Sequence, residues 1–431
     1  MDKEWMPKVD LKKDSSKIKN IHISLMNEIE KQNSERVKQL VKLQRSNRIF
    51  GSILGVTVLS IYFYTIYTVK QEKFLDDFNE PEKLKVLYKK MLNIRLPPLP
   101  TIKDIIKLYK LSALKHLSQN FLLDERLIDK IIKKAGDINA SHVVEVGPGP
   151  GGLTRSIIRK GPKKLIVVEK DKRFKPTLDM LADSFNYVHG EMDIIYEDIR
   201  NFNMENIFPM EEKKDWMDHV PNIHLIGNLP FNVSTILIIE WLKKISEHSG
   251  PWTYGRTKML LTFQKEVAER LVAEPHDKQR CRLSVMAQAW TKPLLRTIIP
   301  GKAFLPKPDV DVGVVTFVPL KKPRTTHEFD IFEKVTRHIF NSRQKYSIKC
   351  VGKLFPEYCR QELSNLVYKL SDLDPTLKPT QLTVEDIDKI TTAYKYLIEK
   401  HPEISSYDHR ASHRILNRKY TQLLSVNEII E

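Results

Sequence analysis

The chain has 431 residues, with 71 basic against 54 acidic side chains and a formal net charge of +17. Residues 1–80 hold 14 basic and 11 acidic side chains, leaving 57 against 43 for the remainder, an excess that suits a polyanionic partner bound with strong salt dependence. Three cysteines, Cys281, Cys350 and Cys359, without Cys-x-x-Cys spacing argue against a disulfide framework and a zinc site, so free thiols, a reducing compartment and no metal are expected.

The chain begins with a charged, helix-like stretch, after which residues 49–69 carry no formal charge and are long enough to cross a bilayer. Tyr62, Tyr64 and Tyr67 near one end and Arg45 and Arg48 at the other suit interface anchors, which favours a single transmembrane helix over a buried core helix. The long polar stretch before it, and the lack of a small-residue cleavage site after it, argue against a cleavable signal. Residues 81–100 read as a linker. Residues 91–117 are rich in Lys and apolar residues, have Asp104 as their only acid, and predict an amphipathic, presequence-like helix.

From 125 to about 318, strand patterns alternate with helix patterns, which predicts a doubly wound α/β sheet. The apolar run 142–146 reads as a buried parallel strand leading into Gly147-Pro-Gly-Pro-Gly-Gly152. There the missing Cβ atoms let backbone N–H groups approach a ligand, and a helix should start near Gly151. Gly147, Gly149 and Gly152 also satisfy the loose Gly-x-Gly-x-x-Gly pattern, so a dinucleotide-dependent dehydrogenase fits this loop as well. A second apolar strand, 165–168, ends at Glu169, about twenty residues beyond the loop, where a carboxylate can accept both ribose hydroxyls of a nucleoside. That too fits either reading.

A further apolar run, 224–226, enters Gly227-Asn-Leu-Pro-Phe231, for which nicotinamide chemistry has no use. An exocyclic amine on an aromatic ring is a poor nucleophile because its lone pair is delocalised. The Asn228 side-chain carbonyl and the Leu229 backbone carbonyl can accept both of its N–H groups and turn the lone pair toward an electrophilic methyl carbon. Pro230 stiffens the loop and Phe231 offers a stacking face. Positioning supplies most of the rate in such a transfer, without a metal or a strong base. Beyond the sheet, helical periodicity over 326–400, as in 329–340 and 384–400, predicts a small helical domain, one wall of a cleft for a polyanionic partner. Arg337, Arg343, Lys345, Lys349 and Lys353, along a predicted helix and loop, are its candidate phosphate contacts. Residues 402–431 read as a polar, loosely ordered tail. The expected divisions are 1–80, 81–100, 101–318, 319–400 and 401–431.

The stretches Arg95-Leu-Pro-Pro-Leu-Pro-Thr101, Leu117-Ser-Gln-Asn-Phe-Leu-Leu-Asp124, Glu145-Val-Gly-Pro-Gly-Pro-Gly-Gly152, Val168-Glu-Lys-Asp171, Gly227-Asn-Leu-Pro-Phe231, Phe263-Gln-Lys-Glu-Val-Ala-Glu-Arg-Leu271, Arg282-Leu-Ser-Val-Met-Ala-Gln288 and Pro306-Lys-Pro-Asp-Val-Asp-Val-Gly-Val-Val315 point the same way. Over most of residues 93–400 the sequence resembles the ribosomal-RNA adenine dimethyltransferases, in particular their mitochondrial branch, also called mitochondrial transcription factor B. The resemblance implies a Rossmann-like S-adenosylmethionine methyltransferase sheet with a small C-terminal helical domain. It also implies transfer of two methyl groups to N6 of each of two adjacent adenines, in a hairpin near the 3′ end of small-subunit ribosomal RNA.

Carried over by motif, Gln119, Asn120, Phe121 and Leu122 close over the methionine end of the cofactor, with Gly147 and Gly149 in the loop beneath it. Glu169 holds the ribose, with Lys170 beside the adenine. Asp198 accepts from the cofactor's adenine amine, Ile199 packs on its ring, and Asn228 faces both the methyl group and the target base. An insertion at 186–192 blurs the register at Asp198 and leaves Asp193 and Glu197 as alternatives. Phe231 stands where the wider family has tyrosine, and Cys281 where this branch has a small hydroxyl residue, read as a neutral packing change. The implied partners are mitochondrial small-subunit ribosomal RNA and the pre-ribosomal small subunit, the enzyme part being a monomer. A non-catalytic transcription or ribosome-assembly factor on the same fold is the alternative; intact Glu169 and Asn228 weigh against it as the sole role.

The segment Tyr64-Thr-Ile-Tyr-Thr-Val-Lys-Gln-Glu-Lys-Phe-Leu-Asp76 is similar to cytochrome c oxidase assembly factor 3, a single-span protein of the mitochondrial inner membrane, over residues 30–80. That resemblance implies a membrane anchor with inner-membrane partners. Residues 35–49 hold five Lys or Arg against three in 70–84, and basic flanks stay inside, which places the N-terminus in the matrix and the methyltransferase across the membrane from ribosomal RNA. A shorter form starting near Met91 would return the enzyme to the matrix.

Overall fold

The computed structural model describes residues 99–109 and 119–405, residues 407 and 409, and scattered positions between 31 and 60. The chain divides into a unit Met1–Met91 and a unit Leu92–Glu431. The expected span at 49–69 falls, Ser60 apart, outside the described residues, and among those described no helix is long and apolar enough to cross a membrane.

Short apolar runs build the strands of the second unit: β1 (Phe121–Leu122), β2 (His142–Val146), β3 (Lys164–Val168), β4 (Glu191–Ile195), β5 (Ile223–Gly227), β6 (Lys258–Gln264), β7 (Thr291–Ile299), β8 (Phe304–Leu305) and β9 (Val312–Pro319). Seven of them form one sheet in the order β4-β3-β2-β5-β6-β9-β7, parallel from β4 to β6, with β9 antiparallel to both β6 and β7. The inner strands β2, β3, β5 and β6 are buried on both faces because both are covered, whereas the outer strands β4 and β7 turn polar side chains to solvent. Val143, Leu165 and Val167 enter one core with Ile128, Ile131 and Ile132 of the helix Glu125–Lys133, while Val144, Ile166 and Val168 enter a second core with Trp241 and Leu242 of the helix Phe231–Ser246. The expected doubly wound sheet is thus observed, with an antiparallel edge added to it.

The stretch 186–192 is the end of the helix Lys175–Tyr187 and a tight turn, with His189 at φ 61, before β4 begins at Glu191. The helices Phe329–Ile339 and Val384–Lys400 lie where their periodicity places them, the second starting from a reciprocal cap in which Thr383 and Asp386 each accept the other's backbone N–H. These helices are not detached from the sheet. The Trp290 ring packs on Phe329 and Phe332 at centroid distances of 5.0 and 5.4 Å, and one core runs through both parts. The polar tail starts later than its composition suggests, since Ile404 and Tyr407 are both buried.

Arg280 fastens this junction. Wholly buried, it donates from Nε to the Leu382 carbonyl at 3.0 Å and from Nη1 to the Ala273 carbonyl at 2.9 Å and Gln288 Oε1 at 3.1 Å. Arg280→Ala strands the Leu382 carbonyl and Gln288 Oε1, leaves the Ala273 carbonyl only the Gln288 Nε2–H at 2.9 Å, and is expected to cost about 3 kcal/mol. A calorimetric unfolding midpoint equal to that of the wild type would contradict the clamp. Beside it, Cys281 occupies the N-cap of the helix Arg282–Trp290 and donates its N–H to Ser284 Oγ at 3.0 Å, so it marks a helix start and not merely a packing position.

Candidate active site

The register of the sheet assembles the site. Val146 pairs with both Val168 and Gly227, and Val168 pairs with Ile195, so four parallel strands end at one level. The residues that follow them, Gly147, Glu169, Tyr196 and Asn228, therefore leave the carboxyl edge side by side. The chain runs outward from β2 through β3 to β4 and then returns to β5 on the other side of β2. That reversal opens the crevice in which ligands of open α/β sheets bind.

A cavity of about 340 Å³ fills this crevice. Its lining includes Gln119, Asn120, Phe121, Leu122, Gly147, Gly149, Glu169, Lys170, Asp198, Ile199, Asn228, Leu229, Pro230 and Phe231, so every residue expected at the cofactor or the target amine reaches one space. The lining also takes in Glu197, the alternative to Asp198, and Arg200, Asn232 and Val233, which the motifs did not single out.

The glycine loop is close to its neighbours. Gly147 and Gly149 adopt φ of 67° and 55°, a region that disfavours side chains; a Cβ on Gly147 would stand 3.8 Å from the Asn228 carbonyl oxygen. Glu169 is buried and accepts the Gly149 N–H at 2.9 Å on Oε2 and the Asp171 N–H at 2.8 Å on Oε1. Burial raises its pKa. Each oxygen keeps a further lone pair, which is what two ribose hydroxyls need.

Asp198, on the loop after β4, accepts from Arg200 at 2.8 and 3.2 Å and from Lys170 Nζ at 3.0 Å. The Arg200 hydrogen bonds foremost, with Lys170 behind them, hold its carboxyl well below the ordinary carboxylate range. Lys170 is thus tied to Asp198, a pairing its expected place beside the adenine did not disclose. Asp193 belongs to β4 and pairs with Lys164 at 2.8 Å, which removes it as an alternative, whereas Glu197 stays at the cavity.

The segment 119–122 is held across the site by β1, whose Phe121 and Leu122 pair with Leu305 and Phe304 of β8. Gln119 Nε2 donates to Asp171 Oδ2 at 2.9 Å. On the β5 side, Asn228 Nδ2 donates to the Asn120 carbonyl at 3.1 Å, and Asn228 Oδ1 accepts from Thr262 Oγ1 at 2.7 Å. Pro230 caps the helix Phe231–Ser246, its carbonyl accepting the N–H groups of Val233 and Ser234 at 3.1 Å. A glycine cradle, two carboxylates at neighbouring strand ends, apolar side chains between them and an oriented amide opposite make a site for a nucleoside cofactor and a planar amine.

The profile of the family described as ribosomal RNA adenine dimethylase matches residues 111–384. The chain belongs to this family. The mitochondrial dimethyladenosine transferase 1 of Bos taurus is 51% identical over 325 residues, 75% of this chain and 94% of that protein. The dimethyladenosine transferase 1, mitochondrial, of Homo sapiens is 50% identical over 321 residues, 74% and 92% of the two chains, and that of Drosophila melanogaster 49% over 319 residues, 74% and 94%. Residues 33–81 match the profile described as cytochrome c oxidase assembly factor 3.

The candidate RNA contacts of this dimethylase do not lie on one helix. Arg337 is in the last turn of Phe329–Ile339, Arg343 and Lys345 are in a turn, Lys349 is in the short helix Ser347–Val351, and Lys353 is in a further single turn. Arg343, Lys345 and Lys349 are exposed and have no ion pair among the described residues. Arg337 sits 3.5 Å from Glu333, and Lys353 donates to Ser342 Oγ at 3.2 Å.

Under the glycine loop of the dimethylase lies a second buried acid, Glu145 of β2. Burial, with the charge of Glu169 added to it, pushes its pKa up to about 8, so it is protonated at neutral pH. A carboxyl raised above its ordinary 4.5 contributes stability that is complete below that value and is lost as pH rises toward about 8. Glu145→Gln is therefore expected to gain in unfolding midpoint relative to wild type, increasingly from about pH 5 to about pH 8. A difference that stays constant with pH would contradict the assignment.

Proposed function

We propose that the chain is a mitochondrial, S-adenosylmethionine-dependent ribosomal-RNA adenine N6,N6-dimethyltransferase acting on two adjacent adenines of the hairpin near the 3′ end of small-subunit ribosomal RNA. The observation that carries the reading is the meeting of Asn228, Leu229, Pro230 and Phe231 with Gly147, Glu169 and Asp198 around one cavity. Glu169 would hold the ribose of the cofactor, Asp198 its adenine amine, Ile199 its ring, and the segment 119–122 its methionine end. Bound S-adenosylmethionine supplies a methyl carbon whose transfer to nitrogen breaks the carbon–sulfur bond, leaves a neutral thioether and releases one amine proton to solvent.

The chain's own contribution is positioning. Asn228 Oδ1 and the Leu229 carbonyl accept the N–H groups of N6 and hold its lone pair out of conjugation, while Phe231 stacks on the base. The apolar lining keeps water from the transferring carbon. Arg343, Lys345 and Lys349 would meet RNA phosphates, with Arg337 and Lys353 committed in part to their neighbours. Primer extension across the hairpin in cells depleted of the protein tests the reading. Dimethylated adenines stop reverse transcriptase, so the stop should vanish on depletion and return with the wild-type chain.

The names of the relatives support a mitochondrial location, and the RNA substrate supports the matrix. The match over residues 33–81 supports a second, inner-membrane role for that stretch, with a shorter form from near Met91 serving the matrix. A single full-length band that resists alkaline extraction, on immunoblots of mitochondria, would sink the short form.

A further inference from the structure

We infer that Thr262 is a positioning residue for methyl transfer, holding the Asn228 amide in the one orientation that offers its oxygen to the target amine. The inference deepens the dimethylase reading and rests on it. Gly227 of β5 pairs with Leu261 of β6, so the next residues along, Asn228 and Thr262, stand side by side. Thr262 is buried, does not line the cavity, and reaches the substrate only through Asn228.

Donor chemistry fixes the amide. The Asn120 carbonyl only accepts, so the group facing it at 3.1 Å must be Nδ2. Oδ1 then faces Thr262 at 2.7 Å, and the hydroxyl, able to play either part, must donate. One lone pair of Oδ1 is taken up and the other remains for an N–H of the substrate. A flipped amide would turn NH₂ toward an amine that needs an acceptor. The two ends of the clamp join β6 to the segment 119–122, so the amide is set correctly only when that segment is seated.

The second transfer should depend on this clamp more than the first. An unmodified adenine amine has two N–H groups to be gripped by two acceptors, whereas the monomethylated amine keeps one, and the fixed direction of a single acceptor then decides where the lone pair points. Thr262→Val keeps the branched shape and loses the donor; Thr262→Ser keeps the donor.

The test uses the purified full chain, a transcript of the hairpin and nucleoside mass spectrometry. Thr262→Val should retain the wild-type unfolding midpoint and cofactor affinity, with kcat lowered about ten- to a hundredfold, KM for RNA little changed and N6-monomethyladenosine accumulating. Thr262→Ser should restore both rate and dimethyl product. Should the valine variant fail to fold, Thr262→Ala set against Thr262→Ser asks the same question. A valine variant with wild-type rate and product ratio, alongside an inactive Asn228→Ala, would overturn the inference alone. A serine variant as impaired as valine would overturn it too. A wild-type chain that makes no dimethyladenosine would overturn the dimethylase reading and this inference with it.

Discussion

Asn228→Ala is expected to lower hairpin methylation by about two to three orders of magnitude while cofactor affinity stays within a few-fold of wild type. The amide oxygen matters most as the nitrogen takes on positive charge in bonding to the methyl carbon, because its N–H groups are then more acidic and grip an acceptor harder. Its loss is therefore felt in the transition state more than in binding. The truncation also leaves the Thr262 hydroxyl and the Asn120 carbonyl without the partner each now has, at a cost of about 1–2 kcal/mol in stability. The unfolding midpoint should drop without loss of the folded state. Normal hairpin methylation in cells carrying only this variant would refute the role.

Glu169→Ala is expected to weaken S-adenosylmethionine binding about a hundredfold, since charge-assisted hydrogen bonds to two hydroxyls are lost together. RNA affinity should be unchanged. The same carboxylate also accepts the N–H groups of Gly149 and Asp171, so alanine loosens the glycine loop as well as the ribose contact. Glu169→Gln separates the two effects only in part: its one oxygen still accepts from Gly149 or Asp171, while its NH₂ group faces the other N–H, so the variant should keep part of the stability and lose part of the affinity. Calorimetry that finds equal cofactor affinity for wild type and alanine variant would rule out the ribose contact.

The strands that carry the site were legible because each is a short, mainly apolar run, and β2, β3 and β5 lead into a glycine or a charge; parallel strands covered on both faces need that composition. The register that levels Val146, Val168, Ile195 and Gly227 was not legible, because a single sequence holds no record of which residues face each other. Thr262 was missed for this reason. It sits among apolar neighbours in a buried strand, 34 residues from the amide it orients. Arg200 was missed for the opposite reason: in a loop crowded with charge, an arginine two residues after Asp198 looks like a solvated neighbour, and only its two hydrogen bonds single it out. Of the basic residues beyond the sheet, Arg337 lies four residues after Glu333 on one helix, so its ion pair was readable from spacing. The capture of Lys353 by Ser342 depends on how three short turns fold back and was not.

The most direct measurement is nucleoside mass spectrometry of a hairpin transcript, carrying the two adjacent adenines, after incubation with the purified chain and S-adenosylmethionine bearing an isotopically labelled methyl group. Two labelled methyl groups on N6 of each adenine are predicted, with none in reactions containing Asn228→Ala. Label absent from adenine N6, or found equally with the wild type and the alanine variant, would contradict the account.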